Sequence, residues 1–285
     1  MTWRVRILCI LMFMGLLIPT ATVCRGQGQP TQSSASAVSV ANTTDIEAAV
    51  ALLCKPADIT RSKTGSITGC NTCPKGTDFY SQNMGGWYFG AATPGHFTSA
   101  HDDNLILDGS NCDSHASNWG GSFVFSMISG KPKLLRYDRS LRTDQCHKFP
   151  YADGHDFLVC KGGWSGQGEF DASFFLARFD ATGKDTQAVI FRTRNTSGSC
   201  AGAGESVEGS DIKGAKFDAK DSAELTSMTI TATNGTLTCA QAKAKKASGK
   251  DPASMKTYEI QFLFDGKQFT VATASRAALR VFPQE

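Results

Sequence analysis

The chain has 285 residues, of which 41% are hydrophobic and 19% charged, and its formal net charge is +3. This apolar content is enough to bury a core, which excludes wholesale disorder. No Gly-X-Y or heptad pattern is present, which excludes a collagen-like or coiled-coil protein. Because the net charge is close to neutral, we expect no nucleic-acid partner.

The first 24 residues have the pattern of an export signal. Arg4 and Arg6 precede an apolar run over residues 7–18, and Pro19 ends that run. About 12 apolar residues are typical of a secretory signal peptide, whereas a membrane-spanning helix needs roughly 20. We therefore predict a signal peptide over residues 1–24 and no transmembrane segment after its removal.

The segment after the signal is small and polar. Residues 25–42 are mostly Gln, Ser, Ala, Gly and Thr, a composition that buries too little to offset chain entropy. We predict a flexible linker here, followed by one disulfide-stapled β-repeat domain over residues 43–285. The expected location is secreted or periplasmic, with lipidation at Cys24 left open.

Cysteine usage also fits an exported protein. The chain has 10 Cys, and an even number of them, eight, lies in the predicted domain. That count predicts up to four disulfides, with about a hundred possible pairings. The eight residues are Cys54, Cys70, Cys73, Cys112, Cys146, Cys160, Cys200 and Cys239.

Two cysteine pairs allow a closer interpretation. Cys146 and Cys160 flank a turn at residues 152–154, so we predict a bridge between neighbouring strands. Cys70 and Cys73 form a Cys-x-x-Cys motif, which leaves a metal site or a redox pair as alternatives to structural disulfides.

One helix is predicted near the start of the domain. Residues 44–47 (Thr-Asp-Ile-Glu) match the capping-box pattern, and the apolar residues that follow share one helical face. We predict a helix over residues 45–54, ended by Pro56. A basic run over residues 243–250 predicts a solvated loop or a short helix.

The remainder of the chain contains a repeat. An apolar run, a polar loop and a second apolar run that ends near Gly-Lys recur three times, and the first two copies are offset by about 52 residues. A further candidate strand lies on each side, which gives about four strands per unit. The matched runs are 104–109 with 122–131, 156–162 with 173–184, and 228–235 with 257–267.

Units of four antiparallel strands at this spacing are typical of propeller blades. The predicted fold is therefore mostly β, with about three four-stranded blade-like repeats and one short N-terminal helix. Three units are fewer than a closed propeller usually has. A β-sandwich is therefore the alternative arrangement.

One acidic link carries a family resemblance. Residues 218–225 resemble the Asp-x-Asp-x-Asp-Gly-x-x-Asp-Leu loop of FG-GAP (integrin-type) β-propeller repeats. The resemblance implies a β-repeat fold, and it implies that Asp218 and Glu224 occupy the first and last ligand positions of a calcium loop. Lys220 stands where another acidic ligand is needed. We therefore expect this loop not to bind calcium, and we expect no cofactor.

Aromatic residues provide the first candidate site. Trp119 and Trp164 occupy Gly-rich segments at matching places in the first and second copies. With Trp87 and Tyr88 they could form an aromatic rim that binds a polysaccharide or an extended peptide. The alternative is that these rings fill the seams between sheets.

Histidines and aspartates provide the rival site. All five His lie in the window between His96 and Asp156, and His with carboxylates can bind zinc or iron. Their irregular spacing also suits solvated turns. The candidate metal ligands are His101, Asp103, Asp113 and His115.

No complete catalytic set is visible in the sequence. The leading hypothesis is an exported non-enzymatic binding or scaffold protein of the cell envelope or exterior, with a polysaccharide or extended peptide as its partner. The alternative is a secreted metal-dependent hydrolase that uses the His/Asp cluster.

Overall fold

The structure is a computed structural model, and it describes residues 41–80, 85–113, 120–202, 204–220 and 224–283. The predicted signal peptide and almost all of the predicted linker lie outside the described residues, as do His115 and Trp119. Strands form 51% of the described residues, which confirms the mostly β class.

Every strand pairing in the described residues is antiparallel. The strands, in chain order, are β1 (Ile59–Arg61), β2 (Ile67–Cys70), β3 (Trp87–Gly95), β4 (Asn104–Ser110), β5 (Ser122–Ile128), β6 (Lys131–Asp138), β7 (Cys146–Pro150), β8 (Asp156–Gly166), β9 (Glu169–Phe179), β10 (Asp185–Asn195), β11 (Ser206–Glu208), β12 (Asp211–Lys220), β13 (Glu224–Asn234), β14 (Thr236–Thr238), β15 (Lys256–Phe264) and β16 (Phe269–Val271).

Three larger sheets account for most of these strands. The first has the order β1-β2-β3-β4-β5-β6, the second β10-β9-β8-β7 and the third β12-β13-β15-β16, while β11 and β14 form a small fourth sheet. Strands that follow one another in the chain are neighbours in each larger sheet. The three predicted repeats therefore coincide with β3–β6, β7–β10 and the third sheet.

The second sheet is buried on both faces. Along β8, Phe157 and Val159 point to one side, where they share a core with Ile230 of the third sheet. Leu158 points to the other side and shares a core with Ile106 of the first sheet. Since successive residues of a strand face opposite ways, the three sheets stack face to face in chain order.

The first strands of the three units adjoin one another. The Lys148 ammonium on β7 donates to the carbonyl of Pro94 on β3, at 2.8 Å. The rings of His147 and Phe149 lie 4.5 and 5.3 Å from the ring of Phe217 on β12. The units thus meet through β3, β7 and β12.

The outer faces of the first and third sheets, at the two ends of the stack, are covered differently. Ala49 and Val50, on the helix that precedes β1, pack into the outer core of the first sheet. On β13 of the third sheet, Thr229 and Thr231 alternate with inward residues such as Ile230. A polar outer face needs no further sheet to cover it, so the stack ends there.

Three α-helices lie in the described residues, where one was predicted: α1 (Thr43–Leu53), α2 (Cys239–Ser248) and α3 (Arg276–Leu279). α1 begins two residues before the predicted start because the side chain of Asn42 accepts from the backbone N–H of Thr44. α2 contains most of the basic run, and Thr238 and Gln241 cap it reciprocally.

All eight cysteines of the domain are paired, as Cys54–Cys70, Cys73–Cys112, Cys146–Cys160 and Cys200–Cys239. The disulfide prediction is confirmed, including the bridge between β7 and β8. Cys70 and Cys73 have separate partners, so the metal and redox alternatives were wrong. Four disulfides indicate an oxidising environment.

Among the described helices, none combines the length and the apolarity that crossing a membrane requires.

Candidate binding groove

The β8–β9 hairpin carries the candidate site at its tip. Gln167 and Gly168 have φ angles of 50° and 86°, and Gly166 pairs with Glu169 across them. Two central residues with positive φ make the tight turn that matches the twist of a hairpin. Pairing therefore continues to the tip, so Trp164 lies on a strand, whereas a loop was predicted.

Glycines beside Trp164 determine how its ring lies. Residues two apart on a strand face the same side, so Gly162, Trp164 and Gly166 share one face. A Cβ atom at Gly166 would lie 2.5 Å from the Trp164 ring, and one at Gly162 would lie 2.8 Å from the ring of Phe175. The indole therefore lies against bare backbone, and 53% of Trp164 is exposed.

A groove of about 250 Å³ runs beside this ring. Phe170, which is 47% exposed, borders it from β9. Residues 139–145, called the link below, connect β6 of the first sheet to β7 of the second. The link also lines the groove and brings polar side chains to it. The residues of the link that line the groove and carry hydrogen-bonding side chains are Ser140, Arg142 and Gln145. Lys161 and Ser165 also line it, but alternation along β8 turns their side chains to the face opposite the Trp164 ring.

A buried carboxyl group fixes the link that carries Arg142. Asp108 Oδ2 accepts from the backbone N–H and the hydroxyl of Thr143, both at 2.8 Å, and from the N–H of Asp144 at 2.9 Å. Burial raises the pKa of Asp108, and these hydrogen bonds oppose that rise. Asp144 in turn accepts from Arg142 Nε and Nη2 at 2.6 and 2.7 Å, which raises the pKa of the guanidinium.

The carboxyl groups of Asp138 and Asp185 hold Ser140 in place. Asp138 Oδ1 accepts from the backbone N–H and hydroxyl of Ser140, at 2.8 and 2.6 Å. Gln187 Nε2 donates to the Ser140 hydroxyl and to Asp185 Oδ2. Ser140 thus joins the groove wall to the boundary between the first two sheets.

The predicted aromatic residues are separated by the fold. Trp87 is 1% exposed and packs in the first sheet's core, with its ring 5.9 Å from that of Phe123. Alternation along β3 turns Trp87 inward, in keeping with the alternative of a buried ring, and turns Tyr88, 57% exposed, outward. Tyr88 does not line the groove, and Trp119 lies outside the described residues.

The predicted metal ligands are also separated. Asp113 is fully buried, and its carboxylate accepts from the Tyr137 hydroxyl at 3.0 Å. His101 and Asp103 are exposed and precede β4, whereas Asp113 follows it, a span of roughly 20 Å or more along the strand. Within the described ranges, no three His, Cys, Asp or Glu side chains are placed to share an ion.

The loop that resembles an FG-GAP repeat connects β12 and β13. Asp218 accepts from the Ser227 hydroxyl at 3.0 Å and pairs with Lys216 at 3.0 Å, and the hydrogen bond from Lys216 lowers the pKa of Asp218. Glu224 stands opposite Lys220 at the start of β13. Residues 221–223 lie outside the described residues, so the expectation that this loop does not bind calcium stays a prediction.

Phe170 and the donors of the link were not predicted as site residues. The Gln167-Gly168 turn was the available signal. A two-residue turn pairs Phe170 on β9 with Ser165 on β8, which is the residue after Trp164. The link residues have no such signal, because they reach the groove only through the stacking of two sheets.

The fold and the groove define a disulfide-bonded, mostly β protein in which a half-exposed indole lies beside hydrogen-bonding side chains. The chain matches no known protein family, and no curated protein or solved structure is similar to it. Its function is therefore argued from the groove.

Proposed function

We propose that this is an exported, non-enzymatic binding protein of the cell envelope or exterior, and that it holds a polysaccharide beside Trp164. The observation that carries this proposal is a half-exposed indole, seated against Gly166 and bordered by a row of hydrogen-bonding side chains.

The chemistry of the groove suits a sugar. An indole face packs against the apolar face of a sugar ring, and a rigid aromatic residue loses little entropy on binding. Arg142 donates, while Ser140 and Gln145 both donate and accept, which matches hydroxyl groups that do both.

The architecture supports blade-like repeats. Three antiparallel units stack in chain order, and their first strands adjoin one another, as the blades of a propeller do around its axis. A sandwich has only two packed sheets, whereas here the second sheet is buried on both faces. Four disulfides support a location outside the reducing cytosol.

The lining also supports binding over hydrolysis. The link contributes a guanidinium, an amide and a hydroxyl to it. Of the carboxyl groups close by, that of Asp138 is 6% exposed and faces Asp185 and Ser140, and that of Asp144 is held by Arg142.

The test compares two aromatic residues of equal exposure. Tyr80, like Trp164, is 53% exposed, but it lies in the chain before β3 and outside the groove. We expect Trp164→Ala to lower affinity for a soluble polysaccharide at least about tenfold, and Tyr80→Ala to leave it unchanged. Calorimetry with laminarin, chitin oligosaccharides and polygalacturonate provides the measurement, with melting temperatures as the folding control.

Two outcomes contradict the proposal. The first is that Trp164→Ala binds no more weakly than the wild-type protein, and the second is that none of the polysaccharides binds. Binding only to an extended peptide, lost in Trp164→Ala, would keep the groove but replace the polysaccharide as its occupant.

A further inference from the structure

A second pair of cavities lies at the other end of β9. Arg178 is near the end of that strand, about 27 Å from Phe170 at 3.4 Å per residue. Cavities of about 310 and 490 Å³ both reach Arg178 and Lys267, the latter in the β15–β16 hairpin. This cleft, between the second and third sheets, is separate from the groove at Trp164.

A buried donor at the centre of the cleft lacks a partner. Arg178 Nε is buried, and it has no hydrogen-bond partner among the described residues. The guanidinium carbon lies 5.7 Å from the centre of the Tyr151 ring. Burial raises the pKa of the Tyr151 hydroxyl, and the charge of Arg178 and its hydrogen bond to that hydroxyl oppose the rise. A buried donor without an acceptor is rare and unfavourable, which indicates a place for an acceptor.

The carboxylates nearby are already engaged. Asp153 accepts from the His155 N–H, and Asp156 from the His96 N–H. Asp265 accepts from the N–H groups of Lys267 and Gln268. None of them forms an ion pair with Arg178 or with the Lys267 ammonium in the described part of the chain. Three negative groups at the rim disfavour a multiply charged anion, so a singly charged one fits best.

The walls of the larger cavity indicate what else the ligand contains. Leu176, Val189, Ile190 and Phe269 line it next to Arg178, and Val189 is 47% exposed. A mostly apolar cavity with a few converging polar groups is typical of a small-molecule site. A guanidinium fork matches the two oxygens of a planar carboxylate.

We propose that Arg178 and Lys267 bind the carboxylate of a small organic acid, whose apolar part lies against Val189, Ile190 and Phe269. The Tyr151 hydroxyl donates to the same carboxylate. This site is independent of the groove, and it would make the protein a carrier or sensor of an apolar acid in addition to its polysaccharide-binding role.

The test uses hexanoate, with acetate and hexanamide as partial probes. We expect hexanoate to raise the melting temperature and to bind in calorimetry, and we expect acetate and hexanamide each to bind at least about tenfold more weakly. Arg178→Gln and Lys267→Gln should each weaken hexanoate binding. Arg192→Gln is the matched control, because Arg192 is an exposed cation on the neighbouring strand β10.

Lys267 is exposed, so Lys267→Gln remains informative even where Arg178→Gln folds poorly. Equal binding of hexanoate and hexanamide would overturn carboxylate recognition, and so would equal affinity in Arg178→Gln and Arg192→Gln. No hexanoate binding at all would overturn the site. Trp164→Ala should bind hexanoate normally, which keeps this result distinct from the outcome of the groove experiment.

Discussion

Asp138 of the first sheet and Asp185 of the second lie within hydrogen-bonding reach of each other, and this proximity moves their two pKa values apart. Burial, and then the hydrogen bond with Asp138, raise the pKa of Asp185 to about 7. Burial also acts on Asp138, but hydrogen bonds from Asp185 and Ser140 outweigh it and lower the pKa of that carboxyl group. Two adjacent carboxyl groups cannot both ionise without repulsion.

This pair should make stability fall as pH rises. The folded protein holds the Asp185 proton up to about pH 7, whereas the unfolded chain releases it near the ordinary value of 3.8. Stability is therefore lost between about pH 4 and 7, and the cost is complete above pH 7. The lowered pKa of Asp138 contributes stability that is lost only in more acidic solution, below that carboxyl's ordinary pKa.

Asp185→Asn should remove most of this dependence. The amide still donates to Asp138 but has no proton to lose. We expect the variant to gain about 1–2 kcal/mol at pH 8 relative to the wild type, after allowance for solvent screening, and to gain little at pH 5. Urea unfolding between about pH 5 and 8 measures this. Glu259→Gln, on the exposed face of β15, is the control, and parallel pH profiles for all three proteins would contradict the raised pKa of Asp185.

Removal of the Cys146–Cys160 bridge should destabilise the second sheet. The two cysteines are 14 residues apart and directly opposite on β7 and β8. We expect the double change to Ser to lower the free energy of unfolding by about 3 kcal/mol. Denaturant unfolding of the oxidised proteins measures the loss, and peptide mapping of the wild type checks the pairing. A loss near zero would show that the bridge does not constrain the unfolded chain.

Trp87 and Trp164 should respond oppositely to truncation. Trp87 is 1% exposed within the first sheet's core, so Trp87→Ala should cost about 3–5 kcal/mol. Trp164 is 53% exposed, so Trp164→Ala should cost about 1 kcal/mol or less. Thermal melts compare the two directly. A large loss from Trp164→Ala would return this residue to a structural role and weaken the case for the groove.

The cap of α1 should be measurable in isolation. The Asn42 side chain accepts from the Thr44 N–H at 3.0 Å. Asn42→Ala should lower stability by about 1 kcal/mol, while Asn42→Asp, which caps equally well, should lower it little. Chemical unfolding of the three proteins separates these outcomes. Equal losses from Ala and Asp would show that something other than the cap was removed.

The sequence predicted local order better than orientation. The three units were predictable because apolar runs between Gly, Asn and Asp clusters carry strand and turn information locally. The side of the sheet that Trp87 faces was not predictable from the sequence, because alternation tells which residues share a face but not which face is buried. For α2 the sequence left a solvated loop and a short helix as equal alternatives, because an Ala- and Lys-rich helix shows little apolar stripe.

In the groove, too, local features were predictable from the sequence and contacts between sheets were not. Trp164 was identified as a candidate because an aromatic residue among glycines is conspicuous. Arg142 and Gln145 reach the groove because two sheets stack, and Asp108 holds their link from 35 residues away. Such a contact is non-local and leaves no periodic pattern in the chain.

Each of the eight described cysteines pairs with the next one along the chain, from Cys54 with Cys70 to Cys200 with Cys239. No disulfide loop among them encloses or overlaps another. A chain that enters an oxidising compartment N-terminus first exposes the two cysteines of each pair one directly after the other. Among these eight cysteines, pairing in order of arrival therefore produces the native set.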